Sequence, residues 1–199
     1  MKKKNKKYEI LEDNFIIYKG RKLYRIKALF EFITLRGTVV FKDSLGGYVE
    51  GYHNLTQEGK CWIYGDSKVC ENARIRDNAV VGIKSQVYGN VEVRDNAMVG
   101  SDAIVHGNAI IKGHSHIANG SEIYGNAVIK DDARVVRRSK VYGNASIEGE
   151  VRVGSEAKVY DNAVIKNSVE LVGRAELHVF GNAEVSTELQ VRYLYDGRE

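Results

Sequence analysis

The chain is dominated by a six-residue repeat, and this repeat excludes most folds. From residue 61 onward an aliphatic residue recurs at every sixth position, from Ile63 to Leu177, through twenty consecutive hexapeptides. A small or β-branched residue stands two positions before each aliphatic residue. Because side chains alternate between the two faces of a strand, these paired inward positions describe a short strand followed by a turn. An amphipathic helix needs apolar residues at spacings of three and four, which the repeat lacks.

A second period, of eighteen residues, appears in the residues that directly follow the aliphatic positions. When every third one of these residues is grouped, three columns of different composition result, and we call them corners. The aromatic corner consists of Cys70, Tyr88, His106, Tyr124, Tyr142, Tyr160 and His178. The basic corner consists of Arg76, Arg94, Lys112, Lys130, Glu148 and Lys166. The third corner consists of Tyr64, Gly82, Gly100, Ala118, Val136, Gly154 and Val172. Three hexapeptides therefore close one coil, and about seven coils stack into an all-β triangular prism.

The turn after the aromatic corner has its own repeated composition. Gly and Asn tolerate positive φ, so a sharp corner favours them, and stacked Asn side chains can form hydrogen-bonded ladders. The Asn residues of this turn are Asn72, Asn90, Asn108, Asn126, Asn144 and Asn162.

An aliphatic residue followed four positions later by a small one resembles the hexapeptide motif of left-handed parallel β-helix proteins. That resemblance implies a left-handed winding, against the general preference for right-handed crossovers, and homotrimers. The stretches from Leu23 to Leu29, from Leu45 to Glu50 and from Asn54 to Asp66 resemble the start of the bacterial and prophage YdcK-like group, in which a cap runs directly into the helix. Proteins of this kind are often labelled transferases by analogy of their scaffold alone, but a fold does not establish chemistry.

The repeat divides the chain into three parts. Residues 1–60 do not repeat and are predicted to form an N-terminal β-rich cap, with one helical turn at Ala28 to Phe32 as an alternative. Residues 61–185 form the hexapeptide-repeat helix, and residues 186–199 a C-terminal capping or docking segment. The spacing breaks after Leu177, so we expect Phe180 to replace His178 in the aromatic corner.

The composition of the chain indicates its cellular location, the state of its cysteines and its partners. No signal peptide or membrane span is recognisable, so we expect a cytoplasmic protein without membrane partners. Cys61 and Cys70 fall at an inward and a corner position, which favours free thiols. Residues 1–60 carry 13 Lys and Arg against 7 Asp and Glu. The Lys-rich start could contact nucleic acid or an anionic surface, but a solvated terminus explains it as well, and we do not expect nucleic acid as a partner.

The three flat sides of the prism differ in their outward residues. The first side shows Arg74, Glu92, Ile110, Val128, Ser146 and Val164. The second side shows Trp62, Val80, Met98, His116, Arg134, Arg152 and Glu170. The third side shows Lys68, Gln86, Ile104, Glu122, Lys140, Lys158 and Glu176, and we expect it to face water. Exposed apolar residues on the first two sides predict subunit contacts, with a monomeric solenoid of modestly apolar surface as the alternative.

The aromatic and basic corners suggest a ligand site. Cations stacked one coil apart repel each other unless a partner's carboxylates or an anionic ligand neutralise them. A cleft between subunits that offers Tyr faces and cations would suit a nucleotide-like anion. The alternative is that exposed corners accept long polar side chains and that the tyrosines stack for rigidity. The candidate ligand-binding residues are Arg76, Arg94, Lys112, Lys130, Lys166, Tyr88, Tyr124, Tyr142 and Tyr160.

The candidate catalytic residues of this chain are histidines. In the acyltransferases that share the motif, a histidine acts as general base and coenzyme A lies in a groove between prisms. The resemblance therefore makes His106 and His116 candidate bases, although neither has an evident acidic partner in the sequence. His106, His114 and His116 resemble the histidines that share zinc in trimeric β-helical carbonic anhydrases. A lone His-x-His is a weak metal signal, so no metal is expected.

These observations favour a rigid oligomeric binding module for an anionic, nucleotide-like small molecule. Kinship with prophage proteins would fit capture of a host molecule. A coenzyme A-dependent acyltransferase is the first alternative, and a structural or assembly protein is the second. No cofactor is identified, and coenzyme A enters only with the acyltransferase.

Overall fold

The protein folds into a parallel β-solenoid in which each strand is only two residues long. The structure, a computed structural model, describes residues 6–172 and 177–187. Within these ranges every regular element is a β-strand. Each solenoid strand consists of one outward residue and one inward aliphatic residue, and it pairs in parallel with the strands eighteen residues away, as Ile104 does with Gln86 and Glu122. The eighteen-residue period of the sequence therefore corresponds to one coil of the structure.

Three sheets form the sides of the prism. The strands of the first side are Arg74–Ile75, Glu92–Val93, Ile110–Ile111, Val128–Ile129, Ser146–Ile147, Val164–Ile165 and Glu184–Val185. The strands of the second side are Trp62–Ile63, Val80–Val81, Met98–Val99, His116–Ile117, Arg134–Val135, Arg152–Val153 and Glu170–Leu171. The solenoid strands of the third side are Lys68–Val69, Gln86–Val87, Ile104–Val105, Glu122–Ile123, Lys140–Val141, Lys158–Val159 and His178–Val179.

The N-terminal part supplies strands that extend the third side. The strands β1 (Tyr8–Tyr18) and β2 (Arg21–Ala28) form an antiparallel hairpin, and β2 pairs with β5 (Leu45–Val49). The strand β5 then pairs in parallel with Lys68–Val69, so coil-like pairing begins before residue 61. A small hairpin of β3 (Phe32–Ile33) and β4 (Val39–Val40) lies between them in sequence. The alternative of a helical turn at Ala28 to Phe32 was wrong, because these residues lead from β2 into β3.

The register changes in the last coil. Lys158 pairs with His178 and Val159 with Val179, so this coil is twenty residues long instead of eighteen. Leu177 consequently occupies the small position before a strand, and it is not the twentieth aliphatic residue that the repeat predicted. Phe180 takes the corner position, as expected from the late return of the motif. Of the C-terminal segment, residues 188–199 lie outside the described residues.

The core runs along the axis of the prism. The inward aliphatic residues from Ile63 to Leu171 are fully buried. The small residues at the other inward position leave room for them, and most of these positions are also fully buried. Burying a side chain of this size contributes about 1.5–3 kcal/mol, so hydrophobic burial along the axis is the main source of stability.

Asn side chains form a ladder beside the aromatic corner. The Nδ2 of Asn72 donates to Oδ1 of Asn90 at 2.9 Å, and the same bond recurs in every coil up to Asn162, which donates to Asn182 at 3.1 Å. The ladder predicted from the sequence is confirmed. It fixes the corner in register with the coils above and below it.

Candidate functional site

The aromatic corner is a continuous stack of parallel rings. The ring centroids of Tyr88 and His106 lie 5.0 Å apart, those of His106 and Tyr124 5.0 Å, those of Tyr124 and Tyr142 4.7 Å, and those of Tyr142 and Tyr160 4.9 Å. Interplanar angles are 3° or less along this run. The spacing is that of neighbouring strands, because each coil contributes one ring.

Both ends of the ring stack are closed by other residues. Lys19, at the tip of the β1–β2 hairpin, places Nζ 3.3 Å from the centroid of the Tyr88 ring. At the other end the Phe180 ring stacks on Tyr160 at 5.3 Å, whereas His178 meets the same ring edge-on. The expected exchange of His178 for Phe180 is confirmed. The faces of the tyrosine rings are therefore covered by neighbours, and only their edges remain for a ligand.

His106 has an acidic partner that the sequence reading missed. Its Nε2 lies 3.3 Å from Oε1 of Glu122, and Glu122 also accepts a bond from Lys140 Nζ at 2.7 Å. Burial opposes ionisation of Glu122, but the hydrogen bonds from Lys140 and His106 outweigh it and keep the pKa of this carboxyl below its usual value. The sequence did carry a signal for this pair, because His106 and Glu122 are sixteen residues apart. A spacing two residues short of a full coil places a mid-strand side chain diagonally beside a corner side chain.

Four of the five cations of the basic corner are paired with carboxylates within the chain. Arg76 and Arg94 share the carboxylate of Glu92, with Arg94 Nε 3.2 Å from Oε2. Further along, Lys130 Nζ lies 3.0 Å from Glu148, and Lys166 pairs with Glu184. Lys112 alone among the five candidate cations makes no ion pair with the residues that the structure describes. The premise that a partner or an anionic ligand must neutralise this column is therefore wrong for four of its five cations.

The second side is partly covered by the protein's own N-terminal part. Trp62 and Val80 are 1% and 7% exposed, so the expectation that Val80 would be exposed for subunit contacts was wrong. The ring of Phe32 in β3 packs edge-on against Trp62 at a centroid distance of 5.5 Å. Tyr64 Oη donates to Oγ1 of Thr34 at 3.3 Å, which holds the β3–β4 loop against the third corner.

A mostly apolar cavity of about 290 Å³ remains between this loop and the solenoid. Both elements contribute to its walls: the loop provides Arg36, and the second side provides Val80 and Met98. Tyr64 and the third corner close it. A space of this size and lining is at the lower end of what small-molecule sites in proteins offer.

Positive charge gathers next to this apolar cavity, around His116. On the second side His116 pairs in register with Met98 on one flank and with Arg134 on the other. Its Nε2 is buried and has no hydrogen-bond partner. Burial, and then the charges of Arg36 and Arg134, lower the pKa of His116. An imidazole in this setting is neutral near pH 7 and carries an unsatisfied polar atom.

The two arginines beside His116 are exposed and lack a direct ion-pair partner among the described residues. Within the described ranges Arg36 and Arg134 form no ion pair with a carboxylate. Asp132, Glu150 and Glu170 line a neighbouring cavity together with Arg134, but they do not pair with it. We call Arg36, Arg134 and the neutral imidazole of His116 the cationic cluster, after its two arginines. Arg36 could not be found from the sequence, because it belongs to the non-repeating cap and no spacing connects it to the second side.

The histidines do not converge on a metal site. His114 lies at a turn of the basic corner, where its Nε2 is 3.3 Å from Nδ2 of Asn96 and so continues a short second ladder that begins at Asn78. Among residues 6–172 and 177–187 no group of three His, Cys, Asp or Glu side chains is placed to hold a metal ion. Both cysteines are buried free thiols, as expected.

A comparison with models of known protein families matched none of them, and a comparison with curated proteins found no match. The resemblance to the YdcK-like group therefore stays a prediction from the sequence. Within the described part of the chain, no helix has the length and apolarity that a membrane crossing requires.

Proposed function

We propose that this protein is a rigid binding module for a small anion with an apolar or aromatic part, such as a nucleotide. The observation that carries the proposal is the cationic cluster: Arg36 lines the apolar cavity, Nε2 of His116 is buried without a partner, and Arg134 flanks His116. Buried polar groups normally have hydrogen-bond partners, because leaving them unpaired is costly, and Nε2 of His116 has none. A bound anion would supply the missing partner.

The shape of the site indicates how such a ligand would lie. Its apolar part would enter the cavity against Val80, Met98 and Tyr64, while its anionic group would reach Arg36 and Arg134. Guanidinium groups favour carboxylates and phosphates, because their planar donors form paired, charge-assisted hydrogen bonds. This placement moves the site from the basic and aromatic corners, where charges and ring faces are already engaged, to the second side.

Matched probe pairs test the proposal by calorimetry at pH 7. Octanoate and AMP should bind measurably better than octanol and adenosine, which keep the apolar part and lack the charge. Arg134→Glu and Arg36→Glu should each weaken octanoate or AMP binding about tenfold or more, the loss expected for a charge-assisted hydrogen bond. Arg74→Glu, which makes the same charge change on the first side, should leave binding unchanged. Equal affinity for charged and neutral probes, or an equal loss in the Arg74 variant, would refute this site.

Oligomerisation belongs to the same proposal. Ile110, Val128 and Val164 project from the first side and are half-buried in the single chain. Ser146 lies between Val128 and Val164 in this row, and a second and third copy could cover the apolar residues on either side of it in a homotrimer. Native mass spectrometry of freshly purified protein reports the subunit count and any retained ligand in one spectrum. A monomer without ligand would count against the oligomer.

A coenzyme A-dependent acyltransferase remains the second candidate, and the pairing of His106 with Glu122 favours it. A carboxylate that holds an imidazole is the usual arrangement of a general base and the group that orients it. Transfer of an acetyl group from acetyl-coenzyme A to an added amine or alcohol acceptor is the test. Loss of turnover in His106→Ala and in Glu122→Gln would support this candidate, and loss in His116→Ala would place the base on the second side instead.

A further inference from the structure

A buried amine meets a buried thiol where the N-terminal strand joins the solenoid. Lys7 is 2% exposed and Cys61 is fully buried. The Nζ of Lys7 lies 3.2 Å from Sγ of Cys61 and donates to the carbonyl oxygens of Cys61 at 2.9 Å and of Glu58 at 3.2 Å. These contacts hold the nitrogen against the sulfur at a distance typical of a pair of atoms about to react, roughly 3–3.5 Å.

An open cavity lies near this pair, although neither Lys7 nor Cys61 lines it. The cavity has a volume of about 360 Å³, and Thr56 and Gly59 contribute to its wall. The Oγ1 of Thr56 is 3.3 Å from Sγ of Cys61. Thr56 therefore contacts both the cavity and the sulfur, and hydrogen peroxide must pass this side chain to reach the fully buried Cys61.

We propose that a peroxide converts Lys7 and Cys61 into a reversible sulfenamide cross-link. In the first step the thiolate sulfur of Cys61 attacks one oxygen of hydrogen peroxide. The O–O bond breaks, the sulfur is oxidised by two electrons to sulfenic acid, and the other oxygen leaves as water after taking up a proton. In the second step the lone pair of Lys7 Nζ attacks this sulfur. The S–O bond breaks as the S–N bond forms, and hydroxide departs as water with a proton from the nitrogen.

The surroundings of Lys7 favour the second step. Burial lowers the pKa of its amine, although the nearby Cys61 opposes this shift. A larger share of the amine is therefore neutral and has a free lone pair than in an exposed lysine. Two equivalents of an added thiol reverse the cross-link, because they reduce the sulfur and return the amine. While it exists, the bond joins residues 54 positions apart and fastens β1 to the first coil.

Peptide mapping of the full chain by mass spectrometry tests this proposal. After brief exposure to hydrogen peroxide we expect the peptides that contain Lys7 and Cys61 to be joined, with a combined mass lower by two hydrogens. Dithiothreitol should separate them again. Cys70→Ser should keep the cross-link, and Cys61→Ser should lose it. Lys7→Arg keeps the positive charge but lacks a nucleophilic amine, so its Cys61 should instead accumulate sulfenic or sulfinic acid.

The wild-type map decides the matter even if a variant fails to fold. Cys61 that stays unoxidised, or that proceeds to sulfinic acid with no joined peptide, would overturn the proposal. A joined peptide that contains Cys70 in place of Cys61 would do so as well.

Discussion

Acidification should destabilise this protein through His116, and the sign follows from the lowered pKa. In the unfolded chain this imidazole titrates near its ordinary value of 6.5, whereas burial and the charges of Arg36 and Arg134 lower its pKa in the folded state. As the pH falls below about 6.5, the unfolded state takes up a proton that the folded state resists. Stability is therefore lost as the pH drops from this value towards the folded pKa.

The loss of stability on acidification is limited, because His116 takes up only one proton. The free energy of unfolding changes with pH in proportion to the difference in bound protons, so His116 contributes a slope of at most about 1.4 kcal/mol per pH unit. Other groups titrate in the same range, including the other histidines. The measurable quantity is therefore the difference between wild type and His116→Gln, in which a polar side chain of similar length no longer titrates.

Urea denaturation at a series of pH values between 7.5 and 5 measures this difference. Wild type should lose stability more steeply below pH 6.5 than His116→Gln, and the two curves should run parallel above pH 7. Arg134→Gln removes one of the two positive neighbours and should reduce the extra slope. If wild type and His116→Gln lose stability in parallel over the whole range, His116 is not held neutral by its surroundings, and the cationic cluster loses its main support.

Three further predictions concern the solenoid. Ile129→Ala, at a fully buried position of the first side, should cost about 2–5 kcal/mol and lower the urea midpoint. Gly125→Ala should lower the melting temperature more than Gly65→Ala. Both glycines have positive φ, which alone costs an L-residue roughly 1–2 kcal/mol, but a Cβ at Gly125 would lie 2.8 Å from the Gly143 carbonyl oxygen, while Gly65 has open space. Lys19→Met should cost about 0.5–1 kcal/mol by removing the cation above the first ring of the aromatic stack, again read from the melting temperature.

The coil and its corners could be predicted because each position of the repeat has the same surroundings in every coil and therefore the same type of residue. An aliphatic residue such as Ile111 recurs wherever the core must be filled, and an Asn such as Asn108 recurs wherever the ladder continues. The handedness of the winding entered only through the family resemblance, because no spacing distinguishes a left-handed coil from its mirror image.

The turns of the third corner show where local rules fail. Positive φ disfavours β-branched residues, yet Ile83 has a φ of 51° and is followed by Lys84 at 59°. A hydrogen bond from the Asp102 amide to the Ile83 carbonyl, together with the strands on both sides, holds this turn in place. Stacking of coils thus outweighs the preference of the single residue.

The candidate site escaped sequence analysis for a different reason. Arg36 reaches the second side from the β3–β4 loop, and no periodicity connects a cap residue with a coil residue. The acidic neighbours of the basic corner, such as Glu92 and Glu148, were visible in the sequence. Their pairing could not be inferred until the corner and the mid-strand positions were placed side by side.

The uniform coil makes the length of this molecule adjustable in steps. Removing residues 109–126 would join Asn108 to Ala127 and preserve the Gly-Asn-Ala sequence at the junction. The strands and the Asn on either side of the junction would then meet the partners that formerly lay two coils away, and all other pairs would stay as they are. A protein built in this way can gain or lose whole coils by duplication and deletion while both of its ends stay intact, so variants should differ in length by multiples of eighteen residues.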